Sequence, residues 1–111
     1  SGVGKGEWIK YSDSATQTVS GVSIKNGYLS SLDTYKKNGK VTRMRFEFSD
    51  GTSYTATLDY NTNPTTLSQV NYFQNIDFGR KVKTTYIKMI IEDAVSGTNY
   101  SDTCITTICP Y

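Results

Sequence analysis

Hydrophobic and polar positions alternate along much of this chain, and nothing in it reads as a good helix. Met44, Phe46 and Phe48 interleave with Arg43, Arg45 and Glu47; Tyr54, Ala56 and Leu58 interleave with Thr55 and Thr57. A period of two marks a strand with one buried and one solvated face. Asp50-Gly51 separates the two runs, and both residues tolerate positive φ. Residues 41–59 therefore predict an antiparallel hairpin closed by a two-residue turn.

The same reading extends to both sides. Glu7-Trp8-Ile9-Lys10-Tyr11 is a strand candidate, and polar residues 12–18 read as a turn. Residues 19–25 form a strand with Val22 and Ile24 on one face, ended by Asn26-Gly27. Residues 60–66, with Pro64, form a loop. Val70, Tyr72, Gln74, Ile76 and Phe78 make one stripe of the next strand, and Gly79-Arg80-Lys81 turns the chain. Residues 82–92 form a long strand with Ile87, Met89 and Ile91 on one face. Tyr86 and Ile90 on the other face make it a central strand. Ser96-Gly97-Thr98-Asn99 turns again before a last strand over residues 103–108. About seven short strands with regular turns predict an all-β antiparallel β-sandwich.

Composition sharpens this picture. Alanine occurs at only three positions, 15, 56 and 94, while Thr, Ser, Tyr, Val and Ile dominate. At 111 residues the chain is expected to be one domain, 1–111. Hydrophobic content is low at 36%, but 13% aromatic residues argue against disorder. The net charge of +2, with both signs interspersed, is too weak for a nucleic-acid partner. The longest aliphatic cluster is Met89-Ile90-Ile91, so no membrane insertion is expected. Cys104 and Cys109 lie five apart, on opposite faces of a straight strand. A disulfide between them needs a bend near Pro110, and it stays open.

The candidate chemistry favours binding over catalysis. The chain has nine tyrosines and no histidine, so it lacks the commonest general acid/base. Serines without histidine exclude the usual triad. Gly2, Gly4 and Gly6 precede a strand rather than a helix, so they are no phosphate loop. The acids are scattered; Asp59 and Asp77 could meet in space, but Glu47 reads as a surface charge and Asp50 as a turn residue. Calcium is the one metal to weigh, with Asp33, Asp93 and Asp102 as loop candidates, though solvated loop acids are the simpler reading. Sugar sites combine an aromatic face with fixed hydrogen-bonding groups. The loop residues of that type are Tyr28, Tyr35 and Asn38, then Tyr60, Asn61 and Asn63, then Asn99 and Tyr100. Tyr54, Tyr72 and Tyr86 are assigned to strand packing.

An ordered series of motifs runs through the chain. It begins Gly6-Glu7-Trp8-Ile9, Val22-Ser23-Ile24-Lys25-Asn26-Gly27-Tyr28 and Tyr35-Lys36-Lys37-Asn38. It continues with Phe48-Ser49-Asp50-Gly51 and Leu58-Asp59, and ends Tyr100-Ser101-Asp102-Thr103-Cys104-Ile105. The series resembles the NADase-type glycan-binding domain, a discoidin-like member of the galactose-binding-like sandwiches. The resemblance implies a jelly-roll β-sandwich, no catalysis and no cofactor. It implies a carbohydrate-binding module that attaches a larger secreted or cell-surface protein, of the bacterial-surface kind, to glycans. The partners are then a glycan and other domains of the same polypeptide, in an extracellular or cell-surface setting.

Family domains carry further N-terminal sequence, so this one is expected either to be trimmed there or to lack a strand. Thr106-Thr107 stand where a family acid is common, which lowers the structural-calcium expectation. Tyr60, Asn61 and Asn63 gain weight as ligand contacts, because Asn26, Gly27, Tyr28, Tyr35 and Asn38 match shared, architectural positions. The alternative is a structural or protein-interaction module of a multidomain surface protein.

Overall fold

The computed structural model describes residues 5–99 and 105–111. Its elements in chain order are β1 (Trp8–Asn26), α1 (Leu32–Lys37), β2 (Lys40–Phe48), β3 (Ser53–Thr57), a 3-10 turn (Leu67–Gln69), β4 (Gln74–Val95) and β5 (Ile105–Pro110). The strands form one antiparallel sheet in the order β3-β2-β4-β1-β5.

The sheet folds on itself because its two longest strands bend. Phe46 on β2 lies opposite Met89 in the ladder, yet its ring packs 5.3 Å from Phe78, near the start of β4. Phe48 packs 4.9 Å from Phe78 in an edge arrangement. The first part of β4 therefore covers the face of the sheet that its later part builds. Val22 and Ile24 of β1, Ile76 and Phe78 of β4, and Val41, Met44, Phe46, Ile87 and Met89 share one buried cluster. This is an all-β antiparallel β-sandwich made from a continuous sheet. Each large side chain in that cluster contributes about 1.5–3 kcal/mol by leaving water.

The expected hairpin and central strand are present, with three differences in how the chain turns. At the tip joining β2 to β3, the Gly51 N–H donates to the Phe48 carbonyl, and the Phe48 N–H donates to the Thr52 carbonyl. Only Gly51 takes positive φ there, so the loop has three residues and a bulge instead of two residues. Residues 12–18, read as a turn, lie within β1, with a bulge between Ser12 and Gln17. They are an edge segment wet on both faces, so they carry no hydrophobic alternation. Gly79-Arg80-Lys81 does not end a strand. Gly79 has φ +74 and bends β4 without breaking it.

Two short helical turns complete the fold. Ser31 caps α1 by accepting the Thr34 N–H, and the Thr34 hydroxyl accepts the Ser31 N–H in return. Val70 belongs to no strand; with Leu29 and Tyr35 it forms a second small buried cluster beneath α1, packed against Leu67.

Candidate functional site

The loop residues expected to meet a ligand divide into buttresses and exposed groups. Tyr35 is only 1% exposed, and no ring face is open to solvent. Its hydroxyl accepts the Asn61 N–H at 3.2 Å, which ties α1 to the loop after β3. Burial raises its pKa above the ordinary 10.0, outweighing the Asn61 bond that lowers it. The Lys40 ammonium lies 4.6 Å from the Tyr35 ring and donates to the Lys36 carbonyl; burial lowers its pKa. Asn38 donates its amide and its N–H to the Thr34 carbonyl, ending the helix. Asn61 accepts the Asn63 N–H, so these two shape the loop by an Asx turn.

Tyr60 is the expected contact that fits best, at 46% exposed. Tyr28 is also exposed. Asn99 is exposed, accepts the Thr98 hydroxyl and donates its N–H to the Lys37 carbonyl. Tyr100, Asp102 and Cys104 lie outside the described residues. Cys109 is a free, exposed thiol on β5.

Two of the three calcium candidates, Asp33 and Asp93, have partners within the chain. Asp33 pairs with Lys37 at 2.9 Å, and Asp93 accepts the Ala94 N–H. Among the described residues, no three His, Cys, Asp or Glu side chains gather as a metal site.

Two surfaces carry exposed aromatic groups that the sequence does not bring together. On the outer face of the sheet, Trp8 lies opposite Ile90, Lys10 opposite Lys88 and Ser12 opposite Tyr86. The Lys88 ammonium sits 4.3 Å over the Trp8 ring, and the Lys10 ammonium 4.1 Å over the Tyr86 ring. Arg45 and Glu47 continue this face with an ion pair at 3.0 Å. Lys25 adds another cation over Phe73 at 4.8 Å. With the Lys40–Tyr35 pair these make four cation–π contacts, where chain length alone leads one to expect about one or two.

The second surface is an open groove of about 210 Å³ between Tyr11, Tyr86 and Tyr111, floored by Val19 and Ile87. Asp13, Gln17 and the Thr84–Thr85 pair give it a polar wall. Asp13 accepts the Gln17 side-chain amide at 3.3 Å. Tyr111 is positioned by backbone: its N–H donates to the Gly21 carbonyl, and its own carbonyl accepts the Ser20 N–H. Asp13 is the one charged side chain among its lining residues.

The fold defines the class as a discoidin-like sandwich, here with aromatic side chains exposed on two surfaces. A model of the NAD glycohydrolase translocation F5/8 type C domain matches residues 1–111, and the chain belongs to that family. The match is to a translocation domain and not to a catalytic one. Among solved structures, the chain is similar to the NMR structure of the Streptococcus pyogenes NAD+-glycohydrolase translocation domain. The TM-score is 0.60 at 17% identity, covering 98% of this chain and 89% of that chain. At that identity the likeness shows the fold alone. No curated protein matches the chain. No helix among the described residues is long and apolar enough to cross a membrane.

Proposed function

We infer that this chain is a non-catalytic docking domain, through which a larger secreted polypeptide engages a protein partner during translocation. The observation that carries this reading is the outer sheet face of Trp8, Lys10, Tyr86, Lys88 and Arg45. It is aromatic and cationic, which suits a protein surface better than a small neutral ligand. The family match to a translocation domain supports it. The protein is expected to release no nicotinamide from NAD+, since its acids are dispersed and it has no histidine. Catalytic turnover above a buffer blank would overturn that expectation.

A second reading rests on the groove. Tyr11 and Tyr111 are about half exposed beside Asp13 and Gln17, an arrangement that suits stacking of a sugar with hydroxyls held by the polar wall. Tyr60 with Asn99 is the loop alternative. An open site of this kind binds a monosaccharide weakly, on the order of 10⁻⁴–10⁻³ M. Binding of fluorescently labelled protein to animal cells separates the readings. Docking to a protein predicts loss after protease treatment of the cells, retention after enzymatic deglycosylation, and at least a tenfold loss for Trp8→Ala. A glycan receptor reverses the first two outcomes and makes Tyr11→Ala the damaging variant.

A further inference from the structure

The edge of β1 is unpaired over a long stretch. β5 pairs with β1 only from Val22 to Asn26, and the Tyr111 backbone extends that cover to Ser20. Among the described residues nothing pairs with the other side of β1 over residues 8–18, all of which are exposed. Natural sheets guard such edges with proline, early bulges or charges that project past the strand. Residues 8–12 contain no proline, and the first bulge comes after Ser12. Lys10, the one charge within this stretch, is folded back over Tyr86 and leaves the edge open.

The inner face of the same edge is also uncovered. Ile9 and Tyr11 lie opposite the buried Met89 and Ile87, so they point to the core side of the sheet. They are nevertheless 58% and 50% exposed, because the second layer stops short of them.

We propose that the β1 edge pairs antiparallel with the β1 edge of a second copy of this chain, on a two-fold axis at Ile9. The register follows from backbone direction and charge. The Ile91 N–H donates to the Glu7 carbonyl, and strand alternation then turns the backbone groups of Trp8, Lys10 and Ser12 outward. Outward residues must face outward residues. Centring on Lys10 sets Lys10 against its own copy, and centring on Tyr11 sets Ile9 against Asp13. Centring on Trp8 stacks two tryptophans but leaves Lys10 facing Gly6. Centring on Ile9 places Trp8 opposite Lys10 on both sides of the axis, brings Lys5 toward Asp13, and joins the two Ile9 side chains. This register alone pairs cation with aromatic and basic with acidic groups, with no like charges opposed. The paired sheets continue into one, and Ile9 and Tyr11 gain cover on the inner face.

Cysteine cross-linking and sedimentation test this, in a background where Cys104 and Cys109 are serine. Ile9→Cys is expected to give a disulfide-linked dimer under mild oxidation. A non-hydrogen-bonded antiparallel pair sets its Cα atoms about 4.5 Å apart, within disulfide reach. Tyr11→Cys is expected to stay monomeric, since its mate lies about 13 Å away along the strands. Without oxidant, the weight-average mass of the unmodified chain should rise toward twice the monomer value between micromolar and millimolar concentration. Lys10→Pro removes an outward N–H and keeps the β1–β4 ladder, so it should hold the mass at the monomer value with an unchanged circular dichroism spectrum. A constant monomer mass, linking at both positions or at neither, or a Lys10→Pro dimer as strong as the parent would overturn the proposal.

Discussion

Asn26 uses both ends of its amide on backbone. Its oxygen accepts the Val41 N–H at 3.1 Å, and its nitrogen donates to the Val41 and Asp59 carbonyls at 2.7 and 3.1 Å. It thereby fastens the end of β1 to the start of β2 and to the segment after β3. Asn26→Ala strands buried backbone groups and should cost about 2–4 kcal/mol, read as a lowered urea midpoint at constant slope. Gly27, next to it, has φ +94, and a methyl group there would come within 2.5 Å of the Tyr35 ring. The Asn-Gly pair is legible in the sequence as a turn. That a buried tyrosine 8 residues on also requires the glycine is not, because the contact is tertiary.

Tyr35 and Lys40 make this corner pH-sensitive with opposite signs. The folded Lys40 pKa is lowered, so the unfolded chain binds more protons in the alkaline range and stability rises there with pH. The folded Tyr35 pKa is raised, so its contribution is intact below its ordinary 10.0 and is lost as pH climbs through the folded value. Urea midpoints should therefore gain from Lys40 as pH rises toward its ordinary 10.5 and lose from Tyr35 as pH climbs above 10.0. Lys40→Met should remove the gain, and Tyr35→Phe should weaken the loss.

At the scale of elements, the bend of β4 decides the architecture. Gly79 has positive φ, yet a Cβ there would meet nothing within 4 Å. Its role is therefore conformational rather than steric. Gly79→Asn should be mild, while Gly79→Val should cost more than about 1 kcal/mol, since branched residues resist positive φ. Paired thermal melts would show it, and equal losses would contradict it.

The same glycine explains why sequence and structure part here. Gly-Arg-Lys signals a change of direction, and the direction does change, but the backbone stays extended through it while the β1–β4 register shifts between the Val19–Val82 and Gly21–Asp77 pairs. The β2–β3 hairpin was legible because Met44, Phe46 and Phe48 each face the core. Residues 12–18 were not, since an edge wet on both faces leaves no alternation. α1 has 6 residues, too few for a helical period, and only its Ser31–Thr34 cap betrays it.

At the scale of the molecule, most of the pairing outside the β2–β3 hairpin is distant in sequence: Trp8 meets Ile90, and Val22 meets both Ile76 and Pro110. Closing such loops precedes any reward from contact, so refolding should take milliseconds to seconds. Stopped-flow circular dichroism would measure it, and a microsecond phase carrying the whole amplitude would contradict it. Distance also hid the groove, whose walls come from Tyr11 at one end of the chain and Tyr111 at the other. Composition pointed to aromatic recognition, but the loops it favoured are partly buttressed by Tyr35 and Asn38.

Trp8, the single tryptophan, is 57% exposed at the open edge of β1, beneath a lysine ammonium. Its emission will be red-shifted already in the folded state and nearly blind to global unfolding. What it will report is the arrival of anything on the edge beside it. The protein thus carries a fluorescent sensor of its own occupancy, and tyrosine signals must be used to follow its folding.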